Sequence, residues 1–296
     1  MKKIGLIIGF GSIGKKHFKS MSKSKIFKKI YILSKRLNRN KNYIDNLSQI
    51  SEINPDIIVI CSETSSHLSQ LIYIEKNFYN KIILVEKPLF SKSSLFKIKN
   101  NKVFVAYNLR YDPILQYIKK YAANMKIICT NINCNSFLPN WRNRNYKKLY
   151  SASKKKGGGV HLDLSHEIDY ANWIFKSLKR QSITLKKISN LRINSYDYTN
   201  FSGTSYLSKI VNINLNYFSR MEKRNIEIFK NKKYLFIDII NRIIKFKSSK
   251  DLKIKKFKKI NALQRMEMQI KDISRQKPIY ACTYKEALEI LKIIGV

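Results

Sequence analysis

Three glycines near the start of the chain have the spacing of a phosphate-binding turn. An apolar run, Ile4 to Ile8, is followed by Gly9, Gly11 and Gly14 in the pattern G-x-G-x-x-G. Where a strand turns into a helix, the first glycine permits the turn, the second lets a pyrophosphate approach bare backbone, and the third allows close packing. The N–H groups at the helix start then face the phosphates. The spacing predicts a dinucleotide site, and an ordinary glycine-rich turn is the alternative.

The same segment nearly matches a second phosphate-binding motif. Gly9 to Lys15 also reads G-x-x-x-x-G-K, which begins the loop that binds nucleoside triphosphates. That loop next requires a Ser or Thr hydroxyl for Mg²⁺, whereas this chain has Lys16. We therefore keep the dinucleotide interpretation, with Ser12 and Ile13 as further cofactor-binding residues at the start of the helix.

The second predicted strand bears on which dinucleotide is bound. Lys29 to Ser34 reads KIYILS and is followed by Lys35 and Arg36, and no acidic residue occurs from Lys15 to Ile44. Proteins that prefer NAD(H) usually place Asp or Glu here to hold the ribose hydroxyls, whereas cations suit a 2′-phosphate. Ser34, Lys35 and Arg36 therefore favour NADP(H), with NAD(H) possible. The alternative is that the two cations only reflect the general lysine excess.

Two further buried strands are predicted to deliver polar residues to the same crevice. Ile57 to Cys61 leads into a polar loop and a helix over residues 67–77, and Ile82 to Val85 leads directly into Lys87. In open α/β sheets, ligands bind beyond the carboxyl ends of the strands. The cofactor-binding residues predicted in these two segments are Ser62, His67, Glu86 and Lys87.

Two later segments also carry residues suited to chemistry. The strand Val103 to Tyr107 ends near Arg110, which we predict at the crevice. Gly157 to Phe175 reads as a glycine loop entering a helix, with Asp163 and His166 three residues apart. That spacing places both side chains on one face of the predicted helix.

The pattern of apolar residues changes from about Lys126. Before it, apolar strands alternate with helical segments, and after it strand-like alternation dominates. This pattern predicts an α/β protein with a Rossmann dinucleotide-binding domain at 1–120 and an α+β domain with a mostly antiparallel sheet at 121–296. The strand-like stretches of the second domain are 126–137, 182–198, 209–218, 224–229 and 234–239, and its last helices are 262–273 and 283–294.

The charge of the chain is extreme. The 296 residues contain 59 Lys and Arg against 19 Asp and Glu, a net charge of +40. The lysines are spread from end to end together with abundant Asn, Ile, Tyr and Ser, as an A/T-rich coding sequence would produce. No arginine-rich or RNA-binding aromatic motif accompanies them, so we predict no dedicated nucleic-acid partner.

Membrane, export and metal functions are not predicted. No apolar run has the length of a membrane span. The start of the chain mimics a signal peptide but has no cleavage site, so we interpret it as the first strand of a cytoplasmic protein. The cysteines, at 61, 129, 134 and 282, show no C-x-x-C spacing, which predicts reduced thiols and no metal site.

Five segments together resemble one family. GFGSIGKKH, DIIVICSETSSH, VEKPL, VAYNLRYDP and GGGVHLDLSHEIDY are similar, in order and spacing, to motifs of the glucose–fructose oxidoreductase/inositol dehydrogenase (Gfo/Idh/MocA) family. The resemblance implies an N-terminal Rossmann domain and a C-terminal domain with an open antiparallel sheet. It also implies hydride transfer between NAD(P) and a carbon of a sugar, cyclitol or related compound. The resemblance further implies a homo-oligomer that associates through the exposed face of that sheet.

The resemblance also implies the catalytic residues. Lys87 matches the lysine of the family's E-K-P motif, and His166 matches the histidine of its second-domain motif. Asp163 precedes that histidine by three residues rather than the usual four, and Glu63 replaces the usual proline of the T-P-x-x-x-H loop. His166 would exchange a proton with the substrate oxygen, Lys87 would stabilise charge on that oxygen or relay the proton, and Asp163 would orient one of them.

The substrate is expected to be a sugar. Trp141 and Arg142, with Arg110, would suit a sugar ring that bears a carboxylate or phosphate. Trp141 as a packing residue is the alternative. The string from LPNWR to HEIDY resembles members found with nucleotide-sugar and nonulosonic-acid biosynthesis, so a surface-polysaccharide sugar is the expected substrate class.

Two other functions remain open at the level of sequence. One is a non-catalytic NAD(P)-sensing or regulatory protein on the same fold, and the other is a reductase of a non-sugar substrate. The presence of Lys87 together with His166 favours the enzyme, because a sensor needs only the glycine turn.

Overall fold

The computed structural model describes residues 2–34, 42–92, 94–143 and 145–296. The strands within this part of the chain are β1 Lys3–Ile8, β2 Phe27–Leu33, β3 Tyr43–Ile44, β4 Ile57–Ile60, β5 Ile82–Val85, β6 Lys102–Val105, β7 Ile127–Phe137, β8 Lys179–Lys186, β9 Tyr198–Thr204, β10 Ser208–Asn216, β11 Phe218–Lys230, β12 Lys233–Asp238, β13 Ile243–Ser248, β14 Leu252–Lys256 and β15 Cys282–Thr283. The α-helices are α1 Ser12–Lys23, α2 Ile50–Ile53, α3 Thr64–Asn77, α4 Pro113–Ala122, α5 Val160–Asp163, α6 His166–Phe175, α7 Ala262–Ile273 and α8 Tyr284–Ile294.

The chain forms two compact units. The first contains Met1–Tyr111 and Ile260–Leu291, and the second contains Asp112–Lys259 and Lys292–Val296. This division differs from the predicted boundary at residue 120 in two respects: α4 lies in the second unit, and the segment that carries α7 and β15 returns to the first.

The first unit is built on a Rossmann sheet. Its strand order is β15-β6-β5-β4-β1-β2-β3, in which β1 to β6 are parallel and β15 pairs antiparallel with β6. The order reverses between β1 and β4, and in such sheets ligands bind beyond the carboxyl ends of the strands at this point. The predicted fold class is confirmed.

Helix α7 completes the core of the first unit. Ile270 and Ile273 are fully buried in the cluster that also contains Ile7 and Val59. Burial of each isoleucine contributes about 1.5–3 kcal/mol. Asp272, on the same helix, accepts a hydrogen bond from the Tyr111 hydroxyl at 2.8 Å. These contacts explain why a C-terminal segment belongs to the N-terminal fold.

The second unit is built on a sheet of eight strands among the described residues. Their order is β14-β13-β12-β11-β7-β10-β9-β8, and every neighbouring pair is antiparallel except β7 with β10. Side chains on one face, including Ile132, Ile213, Ile226 and Ile237, are at most 1% exposed and form the core. This architecture matches the predicted open, mostly antiparallel sheet.

The other face of this sheet carries short polar side chains in register across four strands. We call them the asparagine rows: Asn200, Asn214, Asn133 and Asn225 in one row, and Ser202, Asn212, Asn131 and Glu227 in the next. Asn133 donates to Asn225 at 3.1 Å, and Asn212 donates to Asn131 at 3.0 Å. Such bonded pairs fix the side chains on this face of the sheet, where Asn225 itself is only 2% exposed.

Three predicted elements need correction. The strand expected over 182–198 ends at Lys186, because Asp197 accepts hydrogen bonds from the backbone N–H groups of Ile188 and Ser189 and so closes a loop there. Helix α3 begins at Thr64, three residues before the predicted start at 67. The single helix expected after Gly157 is two helices, α5 and α6.

No helix in the described part of the chain combines the length and apolar character that crossing a bilayer requires.

Candidate active site

The glycine turn has the geometry that a pyrophosphate site needs. Gly9 has φ +93°, a conformation that favours glycine, and a Cβ there would lie 2.7 Å from the backbone nitrogen of Ser62. A Cβ at Gly14 would lie 2.1 Å from the carbonyl oxygen of Gly9. At Gly11, by contrast, a Cβ would meet nothing within 4 Å. The turn itself therefore requires glycine at positions 9 and 14. At Gly11 the absent side chain instead leaves the backbone open to an approaching ligand.

The start of α1 is suited to an anion. Gly11 is the N-cap residue and has no side chain that could cap the helix, and the first turn contains no acidic residue. The N–H groups at this end are thus oriented toward an incoming phosphate, and the helix dipole favours the negative charge. The open side of Gly11 and this uncapped helix fit the pyrophosphate of a dinucleotide, with Ser12 and Ile13 where they were predicted.

Gly11 and Gly14 are expected to respond differently to the same substitution. Gly11→Ala places its methyl group in open space, so the melting temperature is expected to stay within about 2 °C of wild type. The methyl group would occupy the approach of the pyrophosphate, so NADH affinity is expected to fall about tenfold or more, which corresponds to ~1.4 kcal/mol. Gly14→Ala is the matched variant and is expected to lower the melting temperature, because of its contact with the Gly9 carbonyl. A Gly11→Ala protein with normal NADH binding would contradict the assignment.

The loop after β4 is tied to the loop after β5 by a histidine. His67 is 1% exposed, and its Nδ1 lies 3.2 Å from the carbonyl oxygens of Pro88 and Leu89 while its Nε2 lies 3.3 Å from that of Ser62. Burial lowers the pKa of His67, although these carbonyl groups oppose the shift. The residue is placed to hold the two loops together.

A second histidine supports the E-K-P segment. His17 is fully buried on α1, and its Nε2 lies 2.7 Å from Glu86 Oε1. Burial raises the pKa of Glu86, but the hydrogen bond and charge of His17 and the charge of Lys87 together outweigh it and place the pKa below its ordinary value. Glu86 therefore stays ionised and also accepts the backbone N–H of Lys87 at 3.1 Å.

Lys87 itself is half-buried at the carboxyl end of β5. Its peptide bond to Pro88 is cis. The strand order reverses between β4 and β1, and β5 is the next strand after β4. Lys87 therefore follows a strand one position away from this reversal. The strand therefore delivers Lys87 to the edge of the sheet at which ligands bind in this fold.

Of the three residues predicted to favour NADP(H), only Ser34 is among the described residues. Ser34 follows β2 and is half-buried, whereas Lys35 and Arg36 lie outside the described residues.

In the second unit, Asp163 is held by two tyrosines. It is 4% exposed, accepts a hydrogen bond from the Tyr150 hydroxyl at 2.6 Å, and accepts a second from the Tyr217 hydroxyl. Burial raises the pKa of both tyrosines, and the charge of Asp163 raises it further. Both hydroxyls therefore remain protonated donors that fix the orientation of the carboxylate.

The predicted substrate residues Trp141 and Arg142 lie around this cluster. The Trp141 ring packs edge-to-face on the Tyr217 ring, with centroids 5.2 Å apart. Arg142 is exposed, and its positive charge opposes the rise in the pKa of Tyr150 that burial and Asp163 cause. The structure thus brings Asp163, Trp141 and Arg142 together with two tyrosines that sequence reasoning missed.

His166 begins α6 and is half-buried. Asp163 ends α5, and Leu164 between them has φ −98° and ψ 26°, which interrupts the helix. The expectation that both residues share one helix face is therefore wrong, because they lie on two different helices. The next residue, Glu167, is fully buried and accepts a hydrogen bond from Arg224 Nε at 2.6 Å, which anchors the start of α6 to β11.

Arg110, a predicted substrate residue, and His161, a neighbour of Asp163 in the chain, are both buried. Arg110 is 1% exposed, and its guanidinium donates to Glu286 at 2.9 Å, which favours a structural role over the predicted substrate contact. His161 is buried beside Tyr196, with ring centroids 5.6 Å apart. Burial lowers the pKa of His161 to about 4, although Asp163 opposes the shift.

No cluster that could hold a metal ion occurs among the described residues, and all four cysteines are free thiols. Cys61 donates to the Gly9 carbonyl at 3.0 Å, and burial, followed by the charge of Glu86, raises the pKa of its thiol. The thiol is thus protonated and supports the glycine turn.

Comparison with known proteins agrees with this geometry. Residues 3–102 match the model of the GFO_IDH_MocA oxidoreductase family, described as an NAD-binding Rossmann fold. Over residues 3–102 the chain thus carries the NAD-binding Rossmann fold of the Gfo/Idh/MocA oxidoreductases. The predicted resemblance to this family is confirmed, and the match agrees with the predicted class, an NAD(P)-dependent oxidoreductase. No curated protein sequence matches the chain at a significant level.

Solved structures share the fold of nearly the whole chain. An NAD-binding oxidoreductase from Klebsiella pneumoniae is 12% identical, with a TM-score of 0.84 over 100% of this chain and 96% of that one. The WlbA dehydrogenase from Bordetella pertussis, in complex with NADH and UDP-GlcNAcA, is 14% identical, with a TM-score of 0.74 over 98% and 94%. A super-repressor mutant of Gal80p from Saccharomyces cerevisiae is 15% identical, with a TM-score of 0.81 over 99% and 94%. At these identities the structures establish the fold alone.

Proposed function

We propose that this protein transfers hydride between NADP(H) and a carbon of a sugar carried on a nucleotide. The observation that carries the proposal is the pyrophosphate-shaped turn at Gly11 in a chain that also places Lys87 at the carboxyl end of a neighbouring strand. The WlbA structure, which contains NADH and UDP-GlcNAcA, supports the substrate class by likeness of fold. The resemblance of the loop before α5 to nucleotide-sugar enzymes supports surface-polysaccharide or nonulosonic-acid biosynthesis.

The first unit is proposed to supply cofactor binding and one catalytic group. The cofactor, when bound, accepts or donates the hydride. The glycine turn and the start of α1 hold its pyrophosphate, and Ser62, His67 and Glu86 maintain the loops around it. The Lys87 ammonium hydrogen-bonds the substrate oxygen and stabilises the negative charge that develops on it.

The second unit is proposed to supply proton transfer and substrate binding. His166 exchanges a proton with the substrate oxygen, because the ordinary pKa of histidine lies close to neutral pH. Asp163, oriented by Tyr150 and Tyr217, adds a fixed negative charge in the same unit. Trp141 and Arg142 contact the sugar and its anionic group.

NADP(H) preference and sugar specificity are tested in one set of assays. The protein is incubated with NADPH or NADP⁺, and separately with NADH or NAD⁺, against a panel of free and nucleotide-linked sugars while nicotinamide absorbance is followed. We expect turnover with a nucleotide-linked sugar and a higher kcat/KM with NADP(H). Turnover that is faster with NAD(H) contradicts the cofactor preference. Tight cofactor binding with no turnover of any sugar favours a regulatory protein.

We further propose that two copies of the chain associate through the asparagine rows. A chain of net charge +40 repels its own copies, so a contact between copies requires a surface free of cations. The asparagine rows provide one, since none of their positions is Lys or Arg. Amide side chains both donate and accept hydrogen bonds, so one row can pair with its copy.

One added charge on this face is expected to disrupt the association. Asn133→Lys places like charges in the contact from both copies and breaks the bond to Asn225. We expect the dimer dissociation constant to rise at least about tenfold by sedimentation velocity. Asn124→Lys, at an exposed turn position after α4, adds the same charge and is expected to leave association unchanged. Equal effects of both variants would contradict the proposed contact.

The protein is proposed to work in the cytoplasm. Cys61, Cys134 and Cys282 are buried as free thiols, a state that a reducing compartment maintains.

A further inference from the structure

A cavity lies at one edge of the second unit's sheet and has no role in the proposed reaction. Its volume is about 390 Å³, and α4 together with β12, β13 and β14 forms its walls. We call it the edge cavity; the lining residues that matter below are Tyr117, Tyr121, Lys233, Phe246, Lys253 and Lys255.

Aromatic rings form an ordered wall of the edge cavity. Tyr117 and Tyr121 are four residues apart on α4, so both rings project from the same side of the helix. They stack with centroids 5.9 Å apart and planes at 13°. Phe246 meets Tyr121 edge-on, with centroids 5.3 Å apart and planes at 70°. Offset stacking and edge contacts of this kind hold each ring in a fixed orientation.

This aromatic wall is not sealed from solvent. Tyr121 is 37% exposed, whereas Tyr107 and Tyr111 in the first unit are each 1% exposed. Burial and the neighbouring Tyr117 raise the pKa of Tyr121, so its hydroxyl is neutral and does not repel an anion. The ring is thus held in place while part of its surface remains available for a planar ligand.

Cations surround the aromatic wall. Lys233, Lys247, Lys253 and Lys255 line the edge cavity, against the single acidic residue Asp251. The Lys255 ammonium lies 4.3 Å from the centroid of the Tyr117 ring. Three of these lysines, Lys247, Lys253 and Lys255, lie in the segment 245–259, KFKSSKDLKIKKFKK, in which lysine is the most frequent residue. The cavity therefore combines a ring-stacking surface with a strong positive potential.

We propose that the edge cavity binds a nucleotide, with the base stacked at Tyr121 and the phosphate held by Lys253 and its neighbouring lysines. Stacking accepts any base, since every base has a flat π-face, and it contributes about 1–3 kcal/mol per base. Lysine binds phosphate as a point charge and needs no fixed fork geometry. A volume of about 390 Å³ lies in the range of small-ligand sites and suits one nucleotide unit.

The rings and lysines of the edge cavity together match a nucleotide better than an inorganic anion or an uncharged apolar ligand. A free inorganic anion would use the lysines and leave the ordered rings without a function. An uncharged apolar ligand would use the rings and leave four cations lining its site. A nucleotide uses both, and the site is independent of the glycine turn and of the sugar reaction proposed above.

Binding is measured by isothermal titration calorimetry on the full chain with UMP as the probe. NADH is present at saturation, so the dinucleotide site is filled. The parallel arms are uridine, inorganic phosphate and a four-nucleotide oligouridylate. The variants are Tyr121→Ala and Tyr121→Phe in the wall, with Tyr206→Ala, at an exposed tyrosine elsewhere, as the matched control. Lys253→Glu is compared with Lys76→Glu, which changes the net charge equally at an exposed position on α3.

We expect UMP to bind saturably and at least about fivefold more tightly than uridine or phosphate. Tyr121→Ala is expected to weaken UMP at least about fivefold, Tyr121→Phe to retain binding, and Lys253→Glu to weaken it more than Lys76→Glu. An oligouridylate that binds far more tightly than UMP, and still depends on Tyr121, identifies the nucleotide as part of a strand. Equal loss in wall and control variants, or phosphate binding as well as UMP, overturns the proposal. Because no turnover is measured, its failure is separate from that of the proposed reaction.

Discussion

Lys87→Ala is expected to lower kcat by about 10²–10⁴-fold while NAD(P)(H) still binds. The lysine follows β5 at the ligand-binding edge of the sheet, and its backbone is held by Glu86, so truncation of the side chain leaves the loop in place. The lost contribution is charge stabilisation on the substrate oxygen, which affects turnover more than cofactor affinity. The measurement pairs steady-state kinetics on the sugar found in the panel with NADPH fluorescence titration.

The control for Lys87 is a lysine nearby in the chain. Lys92→Ala removes the same charge from an exposed position and is expected to leave kcat within about twofold of wild type, as surface substitutions usually do. If Lys87→Ala turns over as fast as Lys92→Ala, Lys87 is not a catalytic residue. If both variants lose cofactor binding equally, the general positive field rather than a specific contact attracts the cofactor.

Arg224→Ala is expected to reduce the free energy of unfolding of the second unit by about 3–5 kcal/mol. The substitution leaves the fully buried carboxylate of Glu167 without its cation, at the residue that follows His166. Trp141 and Trp173 are the chain's two tryptophans and both lie in the second unit, so tryptophan fluorescence in a urea titration follows that unit. Turnover is expected to fall as well, since α6 positions His166.

Two further variants separate the effect of burial on stability from the effect of charge. Glu167→Gln combined with Arg224→Met removes both charges, and we expect it to recover most of the lost stability, because neither partner is then left ionised and unpaired. Lys271→Ala, which removes an exposed ion pair with Glu267 on α7, is expected to cost less than about 0.5 kcal/mol. Comparable losses for Lys271→Ala and Arg224→Ala would show that burial does not matter here.

The sequence predicted the features that depend on local spacing. The glycine turn, the strand that precedes Lys87 and the alternation in the second sheet each follow from residues a few positions apart, so their physical causes are visible in the string. The glycine assignments agree with the contacts that a Cβ would make at Gly9 and Gly14.

Features that depend on distant partners were not predictable in the same way. Tyr217 lies 54 positions from Asp163, and Glu86 lies 69 positions from His17, and nothing in the sequence indicates either pairing. The break between α5 and α6 has no glycine or proline to announce it. The return of α7 to the first unit was missed because its buried residues, including Gln269 and Asp272, mix apolar with polar types.

That return has a consequence for the order in which the chain can fold during synthesis. The ribosome makes β1 to β6 before the second unit, yet their sheet lacks its edge strand β15 and the buried side chains of α7 until residue 283 has emerged. The second unit, by contrast, needs after Lys259 only the last five residues, Lys292–Val296. Domains of nascent chains ordinarily fold from the N-terminus onward. Here the dinucleotide-binding unit begins synthesis before the second unit but cannot complete its core until residues 112–259 of the second unit have been translated.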